Sequence, residues 1–144
     1  SAAAKKDNPS VTCSVTGFNL VNNNYEIDKQ DYDSLFEATE TALKNAYGES
    51  NLSFADENQK YVSVDFAGVS ATLKDANGND VANETAPRKY VYKLKISNTE
   101  YQYEQYFVIH EIYVYILTFC STADEYAESA PIFDSIASNF TFKN

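Results

Sequence analysis

The sequence predicts an α+β domain, an antiparallel sheet of about six strands packed between helices. Three observations predict it. Residues 90–120 read as three long strands in a row, YVYKLKIS, YQYEQYFVI and IYVYILTFC. A helical stretch, ADEYAESAPIFDSIASNF, follows them, and a second helical pattern lies early in the chain. Aromatic residues make up 15% of the chain, with 12 Tyr and 9 Phe, which suits a pleated, half-buried surface.

Residues 1–10 (SAAAKKDNPS) are small, polar and unpatterned, and read as a flexible linker; a single domain is expected over 11–144. Next, Val11, Cys13 and Val15 alternate with Thr12, Ser14 and Thr16, a strand ending at Gly17. Asn22-Asn23-Asn24 reads as a turn, and Tyr25-Glu26-Ile27 as a short strand pairing back. Ser34 and Glu37 have capping-box spacing, and Gly48 is placed to stop the helix. Leu35, Phe36, Thr39, Ala42, Leu43, Ala46 and Tyr47 would form its inner face, with Glu37 and Glu40 on the wet side. Residues 49–60 read as a polar connection, 61–66 as a strand ending at Gly68, and 69–75 as a further strand. Asn77-Gly78 is the strongest hairpin signal in the chain. A loop containing Pro87 then leads to the three long strands.

Two-residue turns at Asn98-Thr99 and His110-Glu111 would set the register of those strands. Lys93 then faces Glu104, Lys95 faces Gln102, Tyr106 faces Tyr115 and Val108 faces Tyr113. The first sheet face carries Tyr92, Leu94, Ile96, Tyr101, Tyr103, Phe107, Ile109, Ile112, Val114 and Ile116, and must be covered. The second begins polar, at Lys93, Lys95, Gln102 and Glu104. It turns apolar at Tyr106, Val108, Tyr113, Tyr115, Leu117 and Phe119. The last long strand, apolar on both sides, belongs in the sheet interior. After Cys120, Thr122 or Ser121 can cap a helix with Asp124 and Glu125 in its first turn. Pro131 predicts a break, with a short turn near Tyr126, a main helix over 130–139 and a short closing strand.

The run VIHEIYVYILTFCSTADEYAESAPIFDSIASNFTF resembles the C-terminal signature of the PsbP-like fold, shared by the photosystem subunit PsbP, the Ran-GTPase release factor and many bacterial secreted proteins and lipoproteins. The resemblance rests on Tyr115-Ile116-Leu117-Thr118-Phe119, on Tyr126 ahead of Pro131, and on Phe133, Ile136, Ser138 and Phe140. It covers the last third of the chain. It implies an antiparallel sheet between helices, and it carries fold rather than function.

The net charge is -10, from 11 basic and 21 acidic residues. A nucleic-acid surface would carry the opposite sign, so no nucleic-acid partner is expected. No apolar run approaches a membrane span, so no direct membrane insertion is expected. The chain holds no Met, which predicts a removed leader. With the linker, this suits an exported protein or a lipoprotein at the cell surface. In that setting Cys13 and Cys120 are a candidate disulfide, the alternative being two buried thiols.

Chemistry-bearing motifs are absent from the sequence. His110 is the lone histidine and reads as an exposed turn residue with no nucleophile motif beside it. Asp75, Asn77, Asn79 and Asp80 surround Gly78 and form a weak candidate for calcium, against the plainer reading of a hairpin tip. Tyr90, Tyr92, Tyr101 and Tyr103 share one face and read as the floor under a helix in preference to a ligand or partner surface, with the end nearest the Asn98-Thr99 turn left open to exposure. No catalytic residue, metal or cofactor is assigned. The expected function is a non-enzymatic, exported binding or accessory module for an unknown protein or small-molecule ligand. The alternatives are a hydrolase with an unrecognised site and a purely structural surface domain.

Overall fold

The computed structural model describes residues 11–23 and 32–142. The linker expected over 1–10 and the strand expected at Tyr25-Glu26-Ile27 lie outside the described residues. The chain forms β1 (Thr12–Asn19), α1 (Tyr32–Tyr47), β2 (Leu52–Ser53), β3 (Tyr61–Ser63), β4 (Thr72–Lys74), β5 (Asp80–Ala82), β6 (Arg88–Ile96), β7 (Thr99–His110), β8 (Tyr113–Thr122) and α2 (Tyr126–Ser138). The fold is α+β: a six-stranded antiparallel sheet with two helices. The sheet order is β1-β8-β7-β6-β2, with β3 also on β6, and β4 with β5 forms a separate ribbon. β8 lies between β1 and β7, in the sheet interior as expected; its second face is apolar at Leu117 and Phe119, and its first face is apolar only at Val114 and Ile116.

Both long hairpins turn one residue earlier or later than the sequence reading placed them. The first turn is Ser97-Asn98, with φ of 49° and 69°, so Ile96 pairs with Thr99. Thr99 is β-branched and does not tolerate positive φ, whereas Asn does. The second turn is Glu111-Ile112, with Glu111 at φ 58°, and His110 pairs with Tyr113. The register moves by two residues in each hairpin. Lys93 faces Gln102, Lys95 faces Glu100, Tyr106 faces Leu117 and Val108 faces Tyr115. The expected Lys93–Glu104, Lys95–Gln102, Tyr106–Tyr115 and Val108–Tyr113 pairs do not form. A shift of two leaves every strand residue on its expected face, because side chains alternate with period two. Ile112 alone leaves the first face and is exposed in the turn.

α1 begins at Tyr32, so Ser34 lies inside its first turn rather than at the cap. Gly48, at φ 97°, closes it with a bond from its N–H to the Lys44 carbonyl. Tyr32, Leu35 and Phe36 are buried, packing on Tyr90, Phe107, Ile109 and Val114 of the first face. Phe36 stacks on Tyr90 with ring centroids 3.4 Å apart. Further along, Ala42, Ala46 and Tyr47 are exposed, so the helix seats only its first half deeply. Glu40 is not on the wet side: Lys44 and Lys60 hold it at 3.0 and 2.8 Å, tying the 54–60 connection to α1.

On the second face Phe133 and Ala137 of α2 pack on Cys13, Val108, Leu117 and Phe119. α2 runs unbroken through Pro131. That ring removes one helical bond, to the Ala127 carbonyl, at a place where both residues are exposed. Among the described residues no closing strand follows it; Phe140 and Phe142 pack as an irregular tail, Phe140 stacking on Phe66 at 5.0 Å.

Candidate functional site

Two places hold polar chemistry against the sheet, one sealed and one open. The sealed one is Glu104, on the second face of β7 and 0% exposed. The Tyr126 hydroxyl donates to its Oε1 at 2.7 Å and the Tyr106 hydroxyl to its Oε2 at 3.2 Å. Lys89 Nζ lies 3.4 Å from Oε1 and 3.8 Å from Asp134. Burial first, and the neighbouring carboxylates next, push the Tyr106 hydroxyl far above the usual tyrosine range. Burial and the hydrogen bond to Glu104 do the same for Tyr126. Glu104 is fully paired within the cluster, while Lys89 and Asp134 at its edge reach solvent. The cluster ties β6, β7 and α2 together. The sequence reading places Glu104 on the polar part of the second face, opposite Lys93. Lys89, reached diagonally in the true register, is the missed partner.

The open place is on the first face. α1 lies over the β6 side of that face, and the β1–β8 side carries a different surface. β1 presents Thr12, Ser14 and Thr16 there, and β8 presents Thr118, Cys120 and Thr122. β7 adds Tyr101, Tyr103 and Gln105. None of these nine side chains is charged. All are half-buried except Thr16, which is exposed, and Gln105, which is buried. The hydroxyls of Thr12, Ser14 and Thr16 make no hydrogen bond among the described residues. Gln105 donates to Thr118 Oγ1 at 3.1 Å, while its Oε1 is buried without a partner among the described residues. Thr122 marks the border, where its hydroxyl donates to Glu125 at 2.8 Å.

The sequence-predicted tyrosine surface divides here. Tyr90 and Tyr92 are buried under α1 and the 52–54 segment and offer no partner surface. A helix needs an apolar seat, and these two rings supply it. Tyr101 and Tyr103 stay half-exposed at the end near the hairpin turn. Tyr103 stacks on Tyr92, centroids 5.2 Å apart and 11° from parallel. Burial first, then the adjacent Cys120 thiol, Tyr47 and Tyr101, push the Tyr103 hydroxyl well above its ordinary range. Tyr47, at the end of α1 and 42% exposed, completes the aromatic rim.

The other sequence candidates separate. Cys13 and Cys120 are both free and project from opposite faces of the sheet, so they form no disulfide. Cys13 is buried with Phe119 and Leu117, and burial pushes its thiol up. His110 is not an exposed turn residue: it ends β7, half-buried, and stacks on Phe142 at 4.0 Å. At the β4–β5 tip, Asp75 Oδ1 accepts the N–H groups of Asn77 and Asn79, each at 2.9 Å, and Asp80 pairs with Lys74. That is a hairpin tip closing on itself. Among the described residues no group of three or more His, Cys, Asp or Glu is placed to hold a metal ion. A shallow cleft of about 440 Å³ lies between the 65–70 turn and the end of α2, floored by Phe66 and Phe140.

The fold and site therefore define an α+β domain with one face locked by a helix and the other half open and uncharged. No protein-family model and no curated protein matches the chain. Among solved structures, PA94 from Pseudomonas aeruginosa, described as a protein of unknown function and provisionally as a regulator, is similar in fold. Its TM-score is 0.64 at 10% sequence identity, with 99% of this chain and 81% of that one covered.

Proposed function

We propose that this chain is an exported, PsbP-like accessory module of the cell surface that works by binding rather than by catalysis. α1 on the first face and α2 on the second support the helix–sheet–helix layering that the resemblance implies. The observation that carries the reading is the contrast between the two polar places. Glu104 is fully buried and paired, whereas the half-open platform of Ser14, Thr118 and Tyr103 offers hydroxyls, and its one thiol, Cys120, is held in the neutral form by burial. A regulator, as PA94 is provisionally described, would also act through a binding surface.

The test is a thermal-shift titration with metal ions, small metabolites, sugars and peptides, run on the native chain and on a Ser14→Glu variant. A ligand that binds only the folded state raises the melting temperature, by about 2.7 kcal/mol of stability at a hundred times its Kd. Saturable stabilisation that Ser14→Glu removes is the expected result. Stabilisation that survives in the variant, or a ligand converted to product, overturns the reading.

A further inference from the structure

We infer that the open half of the first face is a binding platform for a neutral oligosaccharide. The inference rests on the binding reading above and names the ligand class of that same surface.

Charge argues first. Protein surfaces normally carry roughly a quarter to a third of their residues as Lys, Arg, Asp and Glu. This chain is 22% charged, yet β1, β8 and β7 place no charge on their shared first face from Thr12 to Thr16, Thr118 to Thr122 and Tyr101 to Gln105. An ionic ligand would meet no counter-charge on the platform.

Side-chain chemistry argues next. A protein partner is anchored by large apolar groups at the centre of its footprint. Here the centre is Ser14, Thr118 and Gln105, and the rings stand at the end. Strand geometry spaces same-face hydroxyls about 7 Å apart along β1 and about 5 Å from those across on β8. That is a grid of groups that both donate and accept, as a polyhydroxyl ligand requires. Gln105, nine-tenths buried, has a carbonyl oxygen without a described partner beneath this grid. At the end of the grid Tyr101 and Tyr103 supply rings with polar tips. Tyr103 is backed by Tyr92 on one ring face, which fixes its plane.

Cys120 reports on occupancy, because its half-buried thiol sits within the platform beside Tyr103. Cys13 is an internal control on the opposite face. The experiment follows alkylation of each cysteine by mass spectrometry. The probes are neutral gluco-, galacto- and N-acetylglucosamine oligomers, a polyuronate and an unrelated peptide library. At four times its Kd a ligand leaves about one-fifth of the sites free, so a neutral oligomer should slow Cys120 labelling about fivefold and leave Cys13 unchanged. Ser14→Glu, and separately Tyr101→Ser should the first fail to fold, should abolish that protection. Equal protection by the polyuronate overturns the assignment to a neutral ligand. Protection by peptides but not by sugars overturns the saccharide inference while the binding reading stands. No protection by any probe overturns both.

Discussion

Removing the Tyr126 hydroxyl should cost this domain more than the loss of an ordinary surface contact. Tyr126→Phe deletes the 2.7 Å donor to Glu104 and leaves the carboxylate with Tyr106 at 3.2 Å and Lys89 at 3.4 Å. A hydrogen bond to a buried charge is worth about 1.5–3 kcal/mol, so a loss of about 2 kcal/mol is expected. Glu104→Ala goes further. It strips two tyrosine hydroxyls of their shared acceptor, leaves Lys89 with Asp134 at 3.8 Å and the Tyr106 ring, and opens a cavity. Breaking a buried pair from one side costs about 3–5 kcal/mol. Against a total stability of about 5–15 kcal/mol, that variant should be marginal at room temperature. Urea denaturation followed by circular dichroism reads both losses, and a double-mutant cycle of Glu104→Gln with Tyr126→Phe isolates their coupling. A Glu104→Ala cost below about 1 kcal/mol, or a coupling near zero, would refute the view of this cluster as the tie between α2 and the sheet.

Three other outcomes are expected. Tyr90, Tyr92, Tyr103, Tyr106 and Tyr126 all have hydroxyl pKa values raised by burial. A raised value means the fold holds protons that the unfolded chain has lost. Stability from these groups should be fully present below about pH 10 and fall above it, by up to about 1.4 kcal/mol per pH unit for each tyrosine kept neutral. Urea midpoints that stay level between about pH 9 and pH 11 would contradict this. Glu111→Gly should stabilise the protein by up to about 1 kcal/mol, because Glu111 sits at φ 58°, where a Cβ is penalised; an unchanged or lowered denaturation midpoint would place the strain elsewhere. Finally, intact-mass measurement after air oxidation and denaturing alkylation should find two capped cysteines and no Cys13–Cys120 bridge; a single uncapped, bridged species would contradict the opposite-face geometry.

Much of the fold was legible because the long strands are locally consistent. The alternation in β6, β7 and β8 set the faces without knowledge of the turns. What local pattern could not set was the turn itself: Ser97-Asn98 and Glu111-Ile112 lack the Asn-Gly signature, and their left-handed residues became visible only in three dimensions. The sealed cluster was missed for the same reason, since the pairing of Glu104 with Lys89 and Tyr126 depends on that register. The sequence groups the four tyrosines as one helix floor, with only the end nearest the turn left open to exposure; Tyr90 and Tyr92 are separated from Tyr101 and Tyr103 by how far α1 reaches, which its sequence does not reveal. The sequence assigns no role to the hydroxyls of Ser14 and Thr118; only the sheet order β1-β8-β7 brings them beside Gln105.

The two-residue turns also bear on how such a sheet can change over generations. Moving a tight turn by one position along the chain re-pairs every residue with a new neighbour, yet keeps inside residues inside. Substitutions that relocate the bend are therefore survivable steps. Adding or deleting one residue at Ser97-Asn98 while the bend stays two residues long is different in kind, because it would turn β7 over against β6 and present Glu104 to α1 while sending Phe107 toward α2. Lineages of this domain should exchange Ser97, Asn98 and Glu111 mainly for Gly, Asn or Asp, which accept a left-handed backbone, and gain or lose residues there in pairs.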